Sequence, residues 1–136
     1  MSTFEEAIVQ RLAADVSVAA VVGTRITVGG LETDIDRPYI TVRRLATNYS
    51  NTVDGRDANT NALLEIISHG LSLAVAHPLA SDVRDSLEQF DGTIAVSGGS
   101  NVRISGILIT DMQQFEPRIG SKTYRVAQFY SVWGED

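Results

Sequence analysis

The sequence predicts an α+β fold: a mainly antiparallel β-sheet packed against an N-terminal helix and one central helix. Three observations lead there. Apolar residues recur at helical spacing in two stretches, one at the N-terminus and one after residue 72. Elsewhere, short runs rich in Val, Ile and Thr alternate in polarity between Gly-rich turns. The strands come in groups instead of alternating singly with helices, which disfavours a doubly wound nucleotide-binding fold.

The first helix is expected over about residues 4–14. Phe4, Ile8 and Leu12 recur at i+4 spacing, and Ser2 or Thr3 with Glu5 or Glu6 can form a capping box. Asp15 or Ser17 can cap a second short helical turn through Val18–Val22, which Gly23 ends. Thr24–Val28 is a short β-branched strand, broken by Gly29-Gly30. A polar loop over 31–37 leads to Pro38, which can open a strand because its missing N–H is tolerated there. Tyr39–Leu45 then alternates Ile40 and Val42 against Thr41 and Arg43.

Residues 48–61, NYSNTVDGRDANTN, contain almost nothing that builds a core. They read as a long polar loop in which Asp54-Gly55 is a hairpin signal. A connection of this length is usually functional or disordered. Ala62–His69 is the next strand, with Leu64 and Ile66 against Glu65. A helical stripe of Val75, Leu79, Val83 and Leu87 follows Ser72. Pro78 lies inside it, so the helix either kinks there or becomes regular from there. Gly92 closes it. Then come Ile94–Val96, a Gly98-Gly99-Ser100-Asn101 turn, Val102–Thr110, a loop across Phe115-Glu-Pro117 and Gly120, and a last strand Thr123–Trp133.

At 136 residues the chain is expected to form one domain, 1–136, large enough for a real core. No segment approaches the roughly 18 apolar residues of a membrane span, so no membrane partner is expected. The acidic N-terminus lacks the basic flank of a signal peptide. Cysteine is absent, which removes disulfides and thiolate chemistry. A net charge of -6 argues against broad nucleic-acid binding. The one adjacent basic pair, Arg43-Arg44, is split between opposite strand faces by alternation.

Motifs for chemistry are thin. Asp57-Ala-Asn59-Thr-Asn61 opens like a calcium loop, but Ala62 replaces the turn glycine and Ser68 the closing Glu. Asp34 and Asp36 share a loop without a third ligand nearby. His69 and His77 are the two histidines, and no hydrolase, zinc-protease or Walker motif accompanies them. No catalytic residue, metal or cofactor is expected. A small metal-dependent or hydrolytic enzyme using His69 or the Asp clusters is the minor alternative, and a nucleic-acid module is disfavoured by charge. The aromatic residues say more. Tyr124 and Tyr130 share one face of the last strand with Val126 and Val132, while Phe129 and Trp133 share the other with Ala127. Two apolar faces on one strand of a small domain point to an interface.

The co-linear set of features resembles the tail-terminator proteins of long-tailed bacteriophages, also called tail-completion or tail-to-head joining proteins. Ala20-Val-Val-Gly-Thr-Arg-Ile26 after the first helix, Arg37-Pro-Tyr-Ile40 at a strand start and Asp54-Gly55 in the polar loop are similar to family segments. So are the strand–helix–Gly92 block, Val102-Arg-Ile-Ser-Gly-Ile107 with Asp111, Phe115-Glu-Pro117, and Tyr124-Arg-Val126 through Phe129 to Val132-Trp133. Pro78 and the long Asn-rich loop depart from the pattern. The resemblance implies a structural virion protein made in the host bacterial cytoplasm. It implies a ring of this chain, commonly a hexamer, on the head-proximal end of the tail tube, where it stops tube polymerisation. The implied partners are further copies of the chain, the tail tube protein and a head-side neck or connector protein. DNA passes through the lumen without sequence-specific binding. Another head–tail connector is the alternative. On this reading the loop is an assembly arm, and Asn48, Tyr49, Asn51, Asp54, Arg56, Asp57, Asn59, Phe129 and Trp133 are the expected interface residues.

Overall fold

The computed structural model describes residues 3–29, 37–52, 55–115, 117 and 124–135, and for 49–59 the backbone course alone. It is α+β, as the sequence predicts. Three helices, α1 (Phe4–Ala14), α2 (Val16–Val22) and α3 (Leu73–Leu87), accompany six strands. The strands are β1 (Ile26–Val28), β2 (Tyr39–Thr52), β3 (Gly55–Gly70), β4 (Gly92–Ile94), β5 (Val102–Phe115) and β6 (Tyr124–Glu135). They form one sheet in the order β1-β2-β3-β6-β5-β4. Only the β1–β2 pairing is parallel.

The helices begin where cap chemistry dictates. Thr3 accepts from the Glu6 amide while the Glu6 carboxylate accepts from the Thr3 amide, the full capping box. Asp15 Oδ1 accepts from the amides of Ser17 and Val18 and starts α2 two residues earlier than the apolar pattern indicates. Pro78 neither kinks α3 out of existence nor delays it: the helix is continuous from Leu73. Pro78 and Ala74 are both exposed, so the Ala74 carbonyl that loses its partner lies where water can replace it. The helix also stops earlier than expected. Gln89, at φ 64, takes the left-handed position after Leu87, and Gly92 instead opens β4.

All three helices lie on one face of the sheet. Phe4, Ile8 and Leu12 of α1, Val18 and Val22 of α2, and Leu79, Val83 and Leu87 of α3 are buried against Ile40, Val42, Leu64, Ile66, Ile104, Ile107, Tyr130 and Val132. Removing each of these large side chains from water is worth about 2 kcal/mol, so this layer dominates the drive to fold. At the end of α3 nearer Gly70, small residues take over: Ala76 and Ala80 pack on Val126. There a Cβ on Gly70 would lie 2.9 Å from the Ala76 amide nitrogen, so only glycine lets the helix leave the strand this closely.

Polar groups fasten the helical layer. Gln128 is fully buried; its amide donates to the Ala80 carbonyl at 3.0 Å and its Oε1 accepts from Tyr130 Oη at 3.0 Å. Burial pushes the Tyr130 phenol up, with Glu88 adding to the shift. Arg44 reaches α1, with Nη2 2.6 Å from Glu5 Oε1. Arg11 donates to the Ser86 carbonyl at 2.7 Å and stacks 3.9 Å over Phe90, tying α1 to the end of α3.

The main departure from the sequence reading is the stretch 48–61. It is not a loop between two short strands. β2 continues to Thr52 and β3 begins at Gly55, with Asn51 opposite Arg56 and Thr52 opposite Gly55. The partnering of β3 with β6 ends at Thr60–Gly134, so beyond that row β2 and β3 pair only with each other as a two-stranded arm. The alternation test misses these strands because their residues, mostly Asn, Thr, Ser and Asp, do not alternate in polarity. β5 likewise runs to Phe115, five residues past the predicted end, through a wholly exposed segment.

Candidate assembly surfaces

Alternation and register place a mixed apolar and polar surface on the face away from the helices. Four rows of side chains cross the sheet. They are Thr41–Ile67–Ala127–Gln113, Arg43–Glu65–Phe129–Asp111, Ala46–Leu63–Ser131–Leu108 and Asn48–Asn61–Trp133–Gly106. Arg43 pairs with Glu65 at 2.8 Å on this face, while its neighbour Arg44 points to the helices, the division that alternation predicts. Neither arginine leaves an unpaired positive patch for phosphate.

Phe129 and Trp133 fall on this open face, as expected, and Tyr130 and Val132 on the core face. Trp133 is 38% exposed, and its ring lies beside Gly106, where a side chain would begin 4.0 Å away. Leu108 is 46% exposed in the row next to that of Phe129. Leu45, Met112 and Phe115 add further exposed apolar area along β2 and β5. Leu45 closes the strand expected from the sequence, whereas Met112 and Phe115 lie beyond the expected end of β5 at Thr110.

Asn48 stands at the root of the arm, exposed, donating to Asn61 Oδ1 at 3.4 Å; Asn61 in turn donates to Ser131 Oγ at 2.7 Å. Tyr49 and Asn51 lie on the outgoing strand of the arm and Arg56, Asp57 and Asn59 on the returning one. Asp54 lies outside the described residues, as do Asp34 and Asp36. The structure therefore puts the arm and Trp133 in adjacent rows at one end of the sheet, and Phe129 nearer its middle. Asp57, Asn59 and Asn61 follow one another along an extended strand, so they do not curl round a common point as calcium-loop ligands must.

The histidines are not paired as hydrolytic groups. His77 is exposed on α3. His69 is buried on the open face, stacked on Tyr39 with centroids 4.0 Å apart and planes 7° from parallel. Its Nε2 lies 3.2 Å from Thr41 Oγ1, and its Nδ1 has no hydrogen-bond partner among the described residues. Burial first, and then the Arg125 charge, bring its pKa down to about 4. No carboxylate orients it, and no three residues of the His, Cys, Asp and Glu types gather within metal reach among the described residues. No helix is long and apolar enough to cross a membrane.

What remains is a protein built of surfaces: an open sheet face, a two-stranded arm and, among the described residues, two strand edges. That is the profile of a structural component of an assembly. The family model "Tail completion protein gp17" matches residues 6–133. The chain belongs to this family of phage tail structural proteins. In fold it is similar to a chain in the virion of a native gene transfer agent particle, with a TM-score of 0.71, 20% identity, and coverage of 98% of this chain and 95% of that one. Among curated proteins there is no match.

Proposed function

We propose that this protein, acting as one domain, closes the head-proximal end of a phage tail tube. Copies of the chain form a ring there, a hexamer on the resemblance described above. The ring stops tube polymerisation and presents a docking surface for the neck of the head. The observation that carries this reading is the family match across nearly the whole chain. The arm supports it, because a two-stranded ribbon with no core of its own gains its ordering from a neighbour or from the tube. The open face supports it too, since exposed Trp and Leu side chains of this kind mark protein partners. The net charge of -6 suits a ring around a DNA channel, where it would repel phosphate and let the duplex slide. The role is structural, without catalysis or cofactor, and is exerted in the virion after synthesis in the host cytoplasm.

The test is tail length by negative-stain electron microscopy in a phage lacking this gene. Overlong, headless tails are expected. Tails of normal length that fail to join heads would reassign the protein to a connector on the head side. Intact infectious particles would end the reading altogether.

A further inference from the structure

Among the described residues, each edge of the sheet has a stretch with no neighbouring strand. β1 covers β2 only opposite Ile40–Val42, and among the described residues no strand lies beside Arg43–Thr52 on that side. β4 covers β5 only at Val102–Ile104, and the Gln89 amide caps the Ile107 carbonyl at 2.8 Å. Among the described residues, no strand lies beyond Leu108–Phe115. Edges this long are normally blunted by Lys or Pro, and neither residue occurs in 43–52 or 108–115. The charged residues of the first stretch, Arg43 and Arg44, are engaged by Glu65 and Glu5 of their own chain.

From these edges we infer that neighbouring copies join strand to strand, β5 of one copy against β2 of the next, antiparallel and staggered by about four residues. The inference rests on the ring reading above and names the contact that builds the ring. Strand direction allows it. β2 and β6 run one way and β3 and β5 the other. If copies are related by rotation about an axis lying roughly along the strands, β5 of one meets β2 of the next antiparallel, and the alternation continues unbroken across the joint. The two edges are different surfaces, which is the heterologous contact a closed ring requires.

The stagger follows from the free lengths. Within one chain Arg43 and Asp111 share a row. Opposing the two free segments in full sets Arg43 against Phe115 instead, four residues along, a rise of about 13 Å. From β2 of one copy to β2 of the next is four strand spacings, about 19 Å. The two distances incline the strands by about 35° to the ring axis, within the tilt at which sheets close on themselves. Allowing for the irregularity after Arg44, Ala46 then faces Gln113 of the next copy. Without stagger it would face Leu108. All three side chains are exposed, and Ala46, Leu108 and Gln113 lie on the open face.

The chain has no cysteine, so cross-links report position without interference. Full-length protein carrying Ala46→Cys with Gln113→Cys is assembled on purified tail tubes, oxidised mildly and run on a denaturing gel. A ladder of covalent multimers ending at the ring size is expected, and neither single variant should climb beyond a dimer. Asn48→Cys with Asp111→Cys, the next pair along the same joint, should give the same ladder if the first pair impairs folding. Rings visible by electron microscopy with no ladder from either pair overturn the edge contact and leave the ring reading standing. A ladder from Ala46→Cys with Leu108→Cys in place of the Gln113 pair overturns the stagger. Wild-type chain that never forms rings on tubes overturns the ring reading and this contact with it.

Discussion

At the scale of single residues, the buried polar groups set the most specific expectations. His69 has a pKa of about 4 in the folded chain against an ordinary value of 6.5. Between those values the unfolded chain binds the proton and the folded chain does not. Stability is therefore full above about pH 6.5 and falls as pH drops toward 4. The loss from this group amounts to about 3 kcal/mol by linkage. His69→Phe keeps a ring against Tyr39 and removes the proton. Urea unfolding at pH 7 and pH 4.5 should show a smaller difference for the variant than for the wild type; equal differences would mean that His69 does not titrate this way. Gln128 is the second case. Gln128→Leu leaves the Ala80 carbonyl and the Tyr130 hydroxyl buried without their partner, at a cost of about 2 kcal/mol in urea unfolding. Neither role was legible in sequence. The strand placement of both residues was, but a polar side chain in a strand is equally at home facing water. What decides its role is a helix carbonyl 48 positions away, or an aromatic ring across the ladder.

At the scale of elements, the helices were legible through local chemistry: a side-chain cap at the start of α1 and α2, and an apolar stripe along α1 and α3. The core halves of the strands were legible for the same reason, through alternation of Ile40 and Val42 or Leu64 and Ile66 against polar neighbours. The outer halves were not, because their residues show no alternation of apolar and polar types to read. The arm is the clearest instance, and its independence makes it testable. Thr60 belongs to the main sheet, buried and donating to the Gly134 carbonyl, whereas residues up to 59 pair only within the arm. Replacing 50–59 by a Gly-Ser linker should leave thermal stability within about 1 kcal/mol of wild type, as expected for changes away from a core. The same variant should fail to cap tubes. Normal capping, judged by tail length in complementation, would remove the arm from the assembly contacts.

At the scale of the whole molecule, the described residues put one layer of helices on one sheet face and none on the opposite face or along the outer stretches of both edges. The sequence pointed to that surface through the two apolar faces of the last strand, and Phe129 and Trp133 do lie on it. The edges were invisible, since they are a property of which strands meet, and strand order depends on contacts between distant parts of the chain. The arm has a further consequence for how such a protein can diverge. Because its two strands pair only with each other, a matched insertion or deletion of one residue pair on each side lengthens or shortens it without disturbing the register of Asn48 with Asn61 or anything beyond. An unmatched single residue would turn the tip over and leave the base intact. Reach can thus be adjusted to a new neighbour by small indels at one point in the gene, while the part that folds stays under a separate and stricter constraint.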